Sequence, residues 1–498
     1  MAMPKLRHKP TCSKKLNVLT LSLMVFTIIF SFSRMSKAFY YSGYGAIFYF
    51  IIGGLFFFLP YSLMLTEYGI TFNKEKGGIY GFLKNVLGEK IAFIATSMWY
   101  FSFVILITNL SFSIWIPLSN FLYGQDISHN LNYLGLEGLP VLGLLCILLV
   151  IATTIIVSFG ITLVKQIAVI GGTFVLIINV ILIFCGLVVF LANDGVVASG
   201  ASAIILNKSG TAVADIELFN FVICTFFGME LIVGLCDEIK NAPKALSLGI
   251  GISSLTILGF YFLGILILGI FLNWEIFAIQ NINLENIIYL LMNNLGYSVS
   301  ISLGASANTA LKIGMYFEKF MGLSVFFIQL AMYFIILYSP LKQFFMGTPS
   351  NMWPKKFGVV KNGVPINVLI FQATILIVFI AIICIGGGEY FKLISLMTLI
   401  PSTIPCILLA FSFPFFKTNE EIKKPIEMFK TVNSITIFSI LITFLVIVTD
   451  IVLIGAPLYE GQIAEGILIF IGPFVFTSIS YFIYSMYEIG AVERVSSK

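Results

Sequence analysis

Charge is the property this chain has least of. Of 498 residues, only 10% are Asp, Glu, Lys or Arg, against about 25% in a soluble globular protein. That share cannot cover a water-facing surface. Histidine is nearly missing: His8 and His129 are the two copies, both outside apolar runs, so a histidine-based intramembrane metal site has no ligands to use. Cysteine is sparse as well. Of seven, Cys146, Cys185, Cys224, Cys236, Cys384 and Cys406 lie in or beside apolar runs, and none form a CxxC pair. A disulfide framework and a zinc site are excluded, and no metal or cofactor is expected. The same arithmetic removes disorder, collagen and coiled coil, each of which needs a polar or repetitive composition.

What is there is apolar: 59% of the residues are hydrophobic and the mean hydropathy is +1.04. A helix needs about 20 apolar residues to cross the hydrocarbon core, and about twelve such runs emerge. They are Leu16 to Tyr41, Gly45 to Thr66, Ile91 to Leu122, Leu139 to Phe159, Gln166 to Ala192, Leu218 to Leu235, Leu246 to Leu272, Ile313 to Tyr338, Ile366 to Ile385, Phe391 to Phe415, Val432 to Ile454 and Gly466 to Tyr487. Several are rich enough in Phe and Ile to suit strands. An outer-membrane barrel would show short alternating segments instead, and lipid demands internal pairing of every backbone group, so the fold expected is an all-α polytopic membrane protein. The first run is too long for a signal peptide and no A-x-A site ends it.

Basic residues set the orientation. Lys5, Arg7, Lys9, Lys14 and Lys15 precede the first span; Lys74, Lys76, Lys84 and Lys90 follow the second. Segments after even-numbered spans continue the pattern with Lys165, Lys240, Lys244, Lys342, Lys355, Lys356, Lys361, Lys417, Lys423, Lys424 and Lys430. The opposite side offers Lys208, Lys312 and Lys392 against nine acidic residues, among them Asp126, Asp215 and Glu465. Both termini are therefore expected in the cytoplasm of a cell-membrane protein. The net charge of +5 belongs to this asymmetry and not to nucleic-acid binding. Segment Ser339 to Pro365 reads as a cytoplasmic helix and turn. Outer segment Asn273 to Ser300 reads as short helices over the outer face, part of a lid.

Ionisable and helix-breaking residues inside a span are costly and mark function by default. Span one contains Ser31-Phe32-Ser33-Arg34-Met35-Ser36-Lys37; span six contains Thr225-Phe226-Phe227-Gly228-Met229-Glu230 and Gly234. Transporters with inverted repeats break helices at corresponding places in each half, aiming N–H groups at an anionic substrate group and carbonyls at a cation. The bland readings stand beside this one. Gly228 and Gly234 suit simple helix packing. Arg34 lies roughly 27 Å into a helix that starts at Leu16, where it snorkels to the outer surface, or it pairs with a carboxylate across a break at Ser31 to Ser33. Glu230 is either a structural strut or a proton carrier. Asn109, Asn179 and Gln329 read as interhelical glue.

The run CTFFGMELIVGLCDEIKNAPKAL (Cys224 to Leu246) resembles the sixth-span signature of the amino acid, polyamine and organocation (APC) superfamily. GGLFFFLPYSLMLTEYG (Gly53 to Gly69), KGGIYGFLKNVLGEKIAF (Lys76 to Phe93) and YSPLKQFFMGTPSNMWPKKFGVVKNGVPINVLIFQ (Tyr338 to Gln372) resemble its bacterial glutamate/GABA antiporter branch. The likeness implies a LeuT-like five-plus-five inverted repeat with two added spans: a basic tail at 1–15, repeats at 16–192 and 218–415, two further helices at 432–487 and a tail at 488–498. It implies a substrate held between spans one, three, six, eight and ten, lined by Ser31, Phe32, Ser33, Thr225, Phe226, Phe227 and Gly228, with Tyr100 as a wall. The substrate carboxylate would meet the amino-terminal side of the break in span one, and its amino group the freed carbonyls. Three departures stand out: S-F-S replaces a G-S-G-like turn, Lys37 stands where proline is usual, and Arg34 where an aromatic is usual. Span five carries no lysine at its middle.

These residues point to a secondary transporter that moves an amino acid or its amine product by exchange; proton-driven uptake of a neutral amino acid is the alternative. Its partners are that small molecule and membrane lipid. A major-facilitator fold would put its long inside loop after span six, where this chain has only Asp237 to Ala245. An embedded enzyme would need paired acids or a nucleophile with its base; adjacent Asp237 and Glu238 suit a loop ion pair. No repeated filter sequence suggests a channel.

Overall fold

The computed structural model of the chain describes residues 16–128, 132–133, 136–193, 212–271 and 286–496. The two tails expected at 1–15 and 488–498 therefore lie wholly or partly outside the described residues, as does the part of segment Asn273 to Ser300 before residue 286. The described residues are mostly helical, joined by turns and loops, with two two-residue strand pairs among them.

Among the described residues, ten helices are long and apolar enough to cross a membrane, eleven when the bent pair Val18–Ile29 and Phe32–Ser42 counts as one. One of these, Ile366–Thr418, runs 53 residues, which at about 1.5 Å per residue is far more than one hydrocarbon thickness of about 30 Å. It breaks at Gly386, where φ is +101°, into Ile366–Ile382 and Leu399–Thr418 joined by Gly388–Met397. That makes twelve crossings, at the places the apolar runs mark. The others are Gly45–Thr71, Glu89–Tyr123, Leu139–Ser158, Ile161–Ala192, Val213–Val233, Ala242–Phe271, Ala307–Gly347, Val432–Tyr459 and Ile463–Ile489. They are called spans one to twelve in chain order.

Span eight is longer than its apolar run. It continues unbroken through Pro340 to Gly347, so the expected cytoplasmic helix is its own extension. The turn that follows is a short hairpin pairing Val360 with Pro365.

The segments after even-numbered spans meet on one face. Leu16 N–H donates to the Glu238 carbonyl and Lys240 N–H to the Leu16 carbonyl. A methyl group on Gly77 would meet the Gly347 backbone, and one on Gly160 the Asn362 carbonyl. Buried Lys417 reaches Glu67 at 3.0 Å, and Glu67 also accepts from the N–H groups of Met428 and Phe429. Asp237 and Glu238 do form a loop ion pair: both contact Lys342, at 2.7 and 2.9 Å.

Small residues let spans one and five touch through their backbones. A methyl group on Gly172 would lie 2.2 Å from the Leu23 carbonyl oxygen. Thr27 adds a hydrogen bond from span one to the Ala168 carbonyl, 3.0 Å away.

Candidate functional site

Span one bends by 43° between its halves. The break falls at Phe30 and Ser31, beginning one residue before the expected unwinding at Ser31 to Ser33. Ser31 caps the second half, its hydroxyl oxygen accepting the Arg34 N–H at 3.2 Å, so Phe32 and Ser33 are already helical. A serine there competes with the preceding helix by offering its side chain to the next one, which is why it ends one helix and starts another.

A break frees backbone groups on both sides. The Phe30 N–H still donates to the Phe26 carbonyl, and Tyr261 of span seven braces the gap: it accepts the Ser31 N–H at 3.0 Å and donates to the Ile29 carbonyl at 3.2 Å. The N–H groups of Phe32 and Ser33 and the carbonyls of Thr27 and Ile28 have no partner among the described residues. All four residues line a cavity of about 190 Å³.

Span six is broken as well. Its helices are Ala212–Thr225 and Met229–Val233, and Gly228 between them has φ of +118°, a conformation that favours glycine. Glu230 stands just past the gap and is buried. Its carboxylate accepts from the Tyr61 hydroxyl at 2.5 Å and from the Gly228 N–H at 3.1 Å. Gln343 of span eight supports the same turn, donating to the Glu230 carbonyl and accepting from the Ile79 N–H.

The cavity walls come from spans one, five, six and eight, with Ile288 from the helix Ile287–Ser302 above. Of the residues named from the sequence, Ser31, Phe32, Ser33, Arg34, Thr225 and Phe227 line it. Three do not. Phe226 turns away into the core, stacked on Phe58 at 4.7 Å. Gly228 faces Ile28, whose side chain a methyl group there would meet at 2.7 Å. Tyr100 lies in a separate apolar cleft beside Phe344 and donates to Gln372 of span nine at 2.8 Å. Spans three and ten, expected as walls, give no residue to this cavity, and span five gives Val175 and Ile178 instead.

Arg34 points inward and does not snorkel. Its guanidinium donates to the Cys224 carbonyl at 2.6 Å, joining the two broken helices. It lines both the cavity and a wider vestibule of about 490 Å³ whose other residues include Lys37, Glu217, Asn220 and Leu453. Glu230 is held across its break by the Tyr61 hydroxyl and the Gly228 N–H.

Sequence reasoning missed Thr27, Tyr261 and the role of Gln329. The Gln329 side chain lines the cavity and its amide oxygen is buried with no partner; Asn179 bonds only its own helix, at the Val175 carbonyl. Polar residues within apolar spans were the signal for all of them.

The amino acid permease family matches residues 16–472 of the chain. The Inner membrane transporter YjeM of Escherichia coli K12 is 33% identical over 486 residues, covering 96% of this chain and 97% of that protein. YjeM of Salmonella typhimurium is 32% identical over 483 residues, covering 95% and 97%. An uncharacterized transporter of Legionella pneumophila is 27% identical over 209 residues, covering 41% of this chain and 42% of that protein. The family, the relatives and two broken helices around a small cavity agree: the chain belongs to the amino acid permease family of the APC superfamily and is a multi-pass membrane transporter.

Proposed function

We propose that this transporter carries an amino acid whose carboxylate sits on the N–H groups of Phe32 and Ser33 and whose ammonium group sits on the carbonyls of Thr27 and Ile28. One observation carries the reading: a break in a single helix leaves two donors and two acceptors unpaired on one cavity. The donors lie at a helix amino terminus, where the dipole favours an anion, and the acceptors at a carboxy terminus, where it favours a cation. The Gln329 amide oxygen adds a further acceptor. A cavity of about 190 Å³ is smaller than the about 300 Å³ at which drug-sized pockets begin, which suits a small zwitterion.

Arg34 supports an acidic substrate such as glutamate. A guanidinium has five N–H donors in a fork that matches a carboxylate, and one bond to Cys224 leaves others available. The mode is exchange, as in the glutamate/GABA antiporter branch that several stretches resemble. Residues 16–192 and 218–415 form the two inverted repeats, each opened by its broken first member. The face that gathers the loop lysines lies in the cytoplasm, with both termini.

Purified protein in liposomes loaded with one amino acid at a time tests this. Saturable counterflow of labelled glutamate supports the acidic reading. Counterflow confined to neutral amino acids would move the assignment to neutral uptake. No counterflow with any amino acid would overturn it.

A further inference from the structure

We propose that Asp450, in span eleven, binds a proton during transport and so couples substrate movement to pH. The proton site rests on hydrogen-bond geometry alone; the coupling rests on the transport reading above.

Three carboxylates are buried among the described residues, and their surroundings differ. Glu67 has Lys417 and two backbone N–H groups. Glu230 has the Tyr61 hydroxyl and the Gly228 N–H. Asp450, 8% exposed, has only the Thr403 hydroxyl, 2.9 and 3.0 Å from its two oxygens. That hydroxyl owns one hydrogen and also lies 2.8 Å from the Ile400 carbonyl of its own helix. One hydrogen shared among three acceptors satisfies none of them fully. If it goes to Ile400, the contact with Asp450 needs a hydrogen from Asp450 itself, which is a protonated carboxyl. If it goes to Asp450, an anion is left inside the membrane with one neutral donor, an unfavourable arrangement. A proton resolves both cases.

No cation forms an ion pair with Asp450 among the described residues. The titratable groups facing it are thiols: Cys406 on span ten and Cys224 on span six. In span two, the stretch Gly54–Phe58 has no titratable group, and Tyr61 and Glu67 are held by Glu230 and Lys417. On span twelve, Glu465 pairs with Lys392.

The position suits coupling. Leu453, one turn beyond Asp450, lines the outer vestibule, which gives protons a route from outside. Span six, whose Cys224 carbonyl holds Arg34, packs directly against span eleven, which carries Asp450. A proton on Asp450 therefore favours an anion at Arg34, and by linkage the anion favours the proton.

The test uses the full chain in liposomes. Infrared spectra titrated in H2O and D2O report the C=O stretch of a protonated buried acid; it is expected in the wild type and in Glu230→Gln and lost in Asp450→Asn. Thr403→Val keeps the acid and removes its partner, so the band should shift. Labelled glutamate uptake should be accelerated by an inward proton gradient in the wild type and in Glu230→Gln. Asp450→Asn should exchange at the wild-type rate without a gradient and lose the acceleration. A band unchanged in both Asp450→Asn and Thr403→Val would overturn the proton site, and acceleration retained in Asp450→Asn would overturn the coupling. A wild type that moves no amino acid would overturn the transport reading, while the infrared band still decides the proton site.

Discussion

The guanidinium of Arg34 donates to the carbonyl oxygen of Cys224 at 2.6 Å, so the half-helix after the break in span one is tied to the half-helix before the break in span six. The tie stands between the cavity and the wider vestibule, since both residues line both spaces. Arg34 can keep this carbonyl and still offer its remaining N–H groups to a substrate carboxylate.

Replacing Arg34 by alanine removes a charge-assisted hydrogen bond, an interaction of about 1.5–3 kcal/mol. For an acidic substrate the half-saturation concentration in counterflow should rise about 10- to 100-fold, and a neutral amino acid should be little affected. Unchanged uptake of an acidic substrate would remove the argument for Arg34.

Glu230 separates strut from proton carrier by a conservative change. Glu230→Gln cannot accept from both Tyr61 and Gly228 as the carboxylate does, so one buried donor loses its partner at a cost of about 1–3 kcal/mol. The thermal midpoint of the detergent-solubilised protein should fall and transport should slow, with its response to a proton gradient intact. A lost gradient response would make Glu230 the carrier.

Lys342 neutralises Asp237 and Glu238 together, at 2.7 and 2.9 Å. Lys342→Met would leave two adjacent acids facing each other in a nearly buried loop. The expected loss is at the low end of the about 3–5 kcal/mol seen when one partner of a buried pair is removed, because both acids keep some solvent contact. Melting followed by size-exclusion chromatography measures it, and a second substitution of Asp237 by Asn should restore part.

Gly172→Ala would press a methyl group on the Leu23 carbonyl, 2.2 Å away. Backbone cannot yield as a side-chain tip can, so overpacking of about 1–3 kcal/mol is expected. Its signature is a lowered thermal midpoint; an unchanged midpoint would show that spans one and five are less tightly joined.

Depth in the membrane was legible from the sequence, and direction around each helix was not. Apolar runs marked twelve crossings, and a serine cluster and a glycine marked the two breaks. The break in span one began one residue early because Ser31 caps the following helix through its own side chain. Phe226 and Phe227 sit side by side in unwound chain, where no helical period says which of them faces the cavity; Phe226 packs on Phe58 and Phe227 takes the wall. Tyr100 is on span three, as expected of a wall, but faces Phe344 and Gln372. Spans that are apolar on every side leave the aim of a side chain to tertiary packing. Asp450, a lone acid in the apolar run of span eleven, was not singled out from the sequence, which could not supply its partner Thr403, 47 positions away.

The central claim is that unpaired backbone at the break in span one holds a carboxylate and an ammonium group together. Counterflow of a labelled amino acid in liposomes, competed by the same amino acid, by its carboxamide and by its N-acetyl form, tests this most directly. The free amino acid should compete and both blocked forms should fail; equal competition by the carboxamide, which has no carboxylate to place on Phe32 and Ser33, would contradict it.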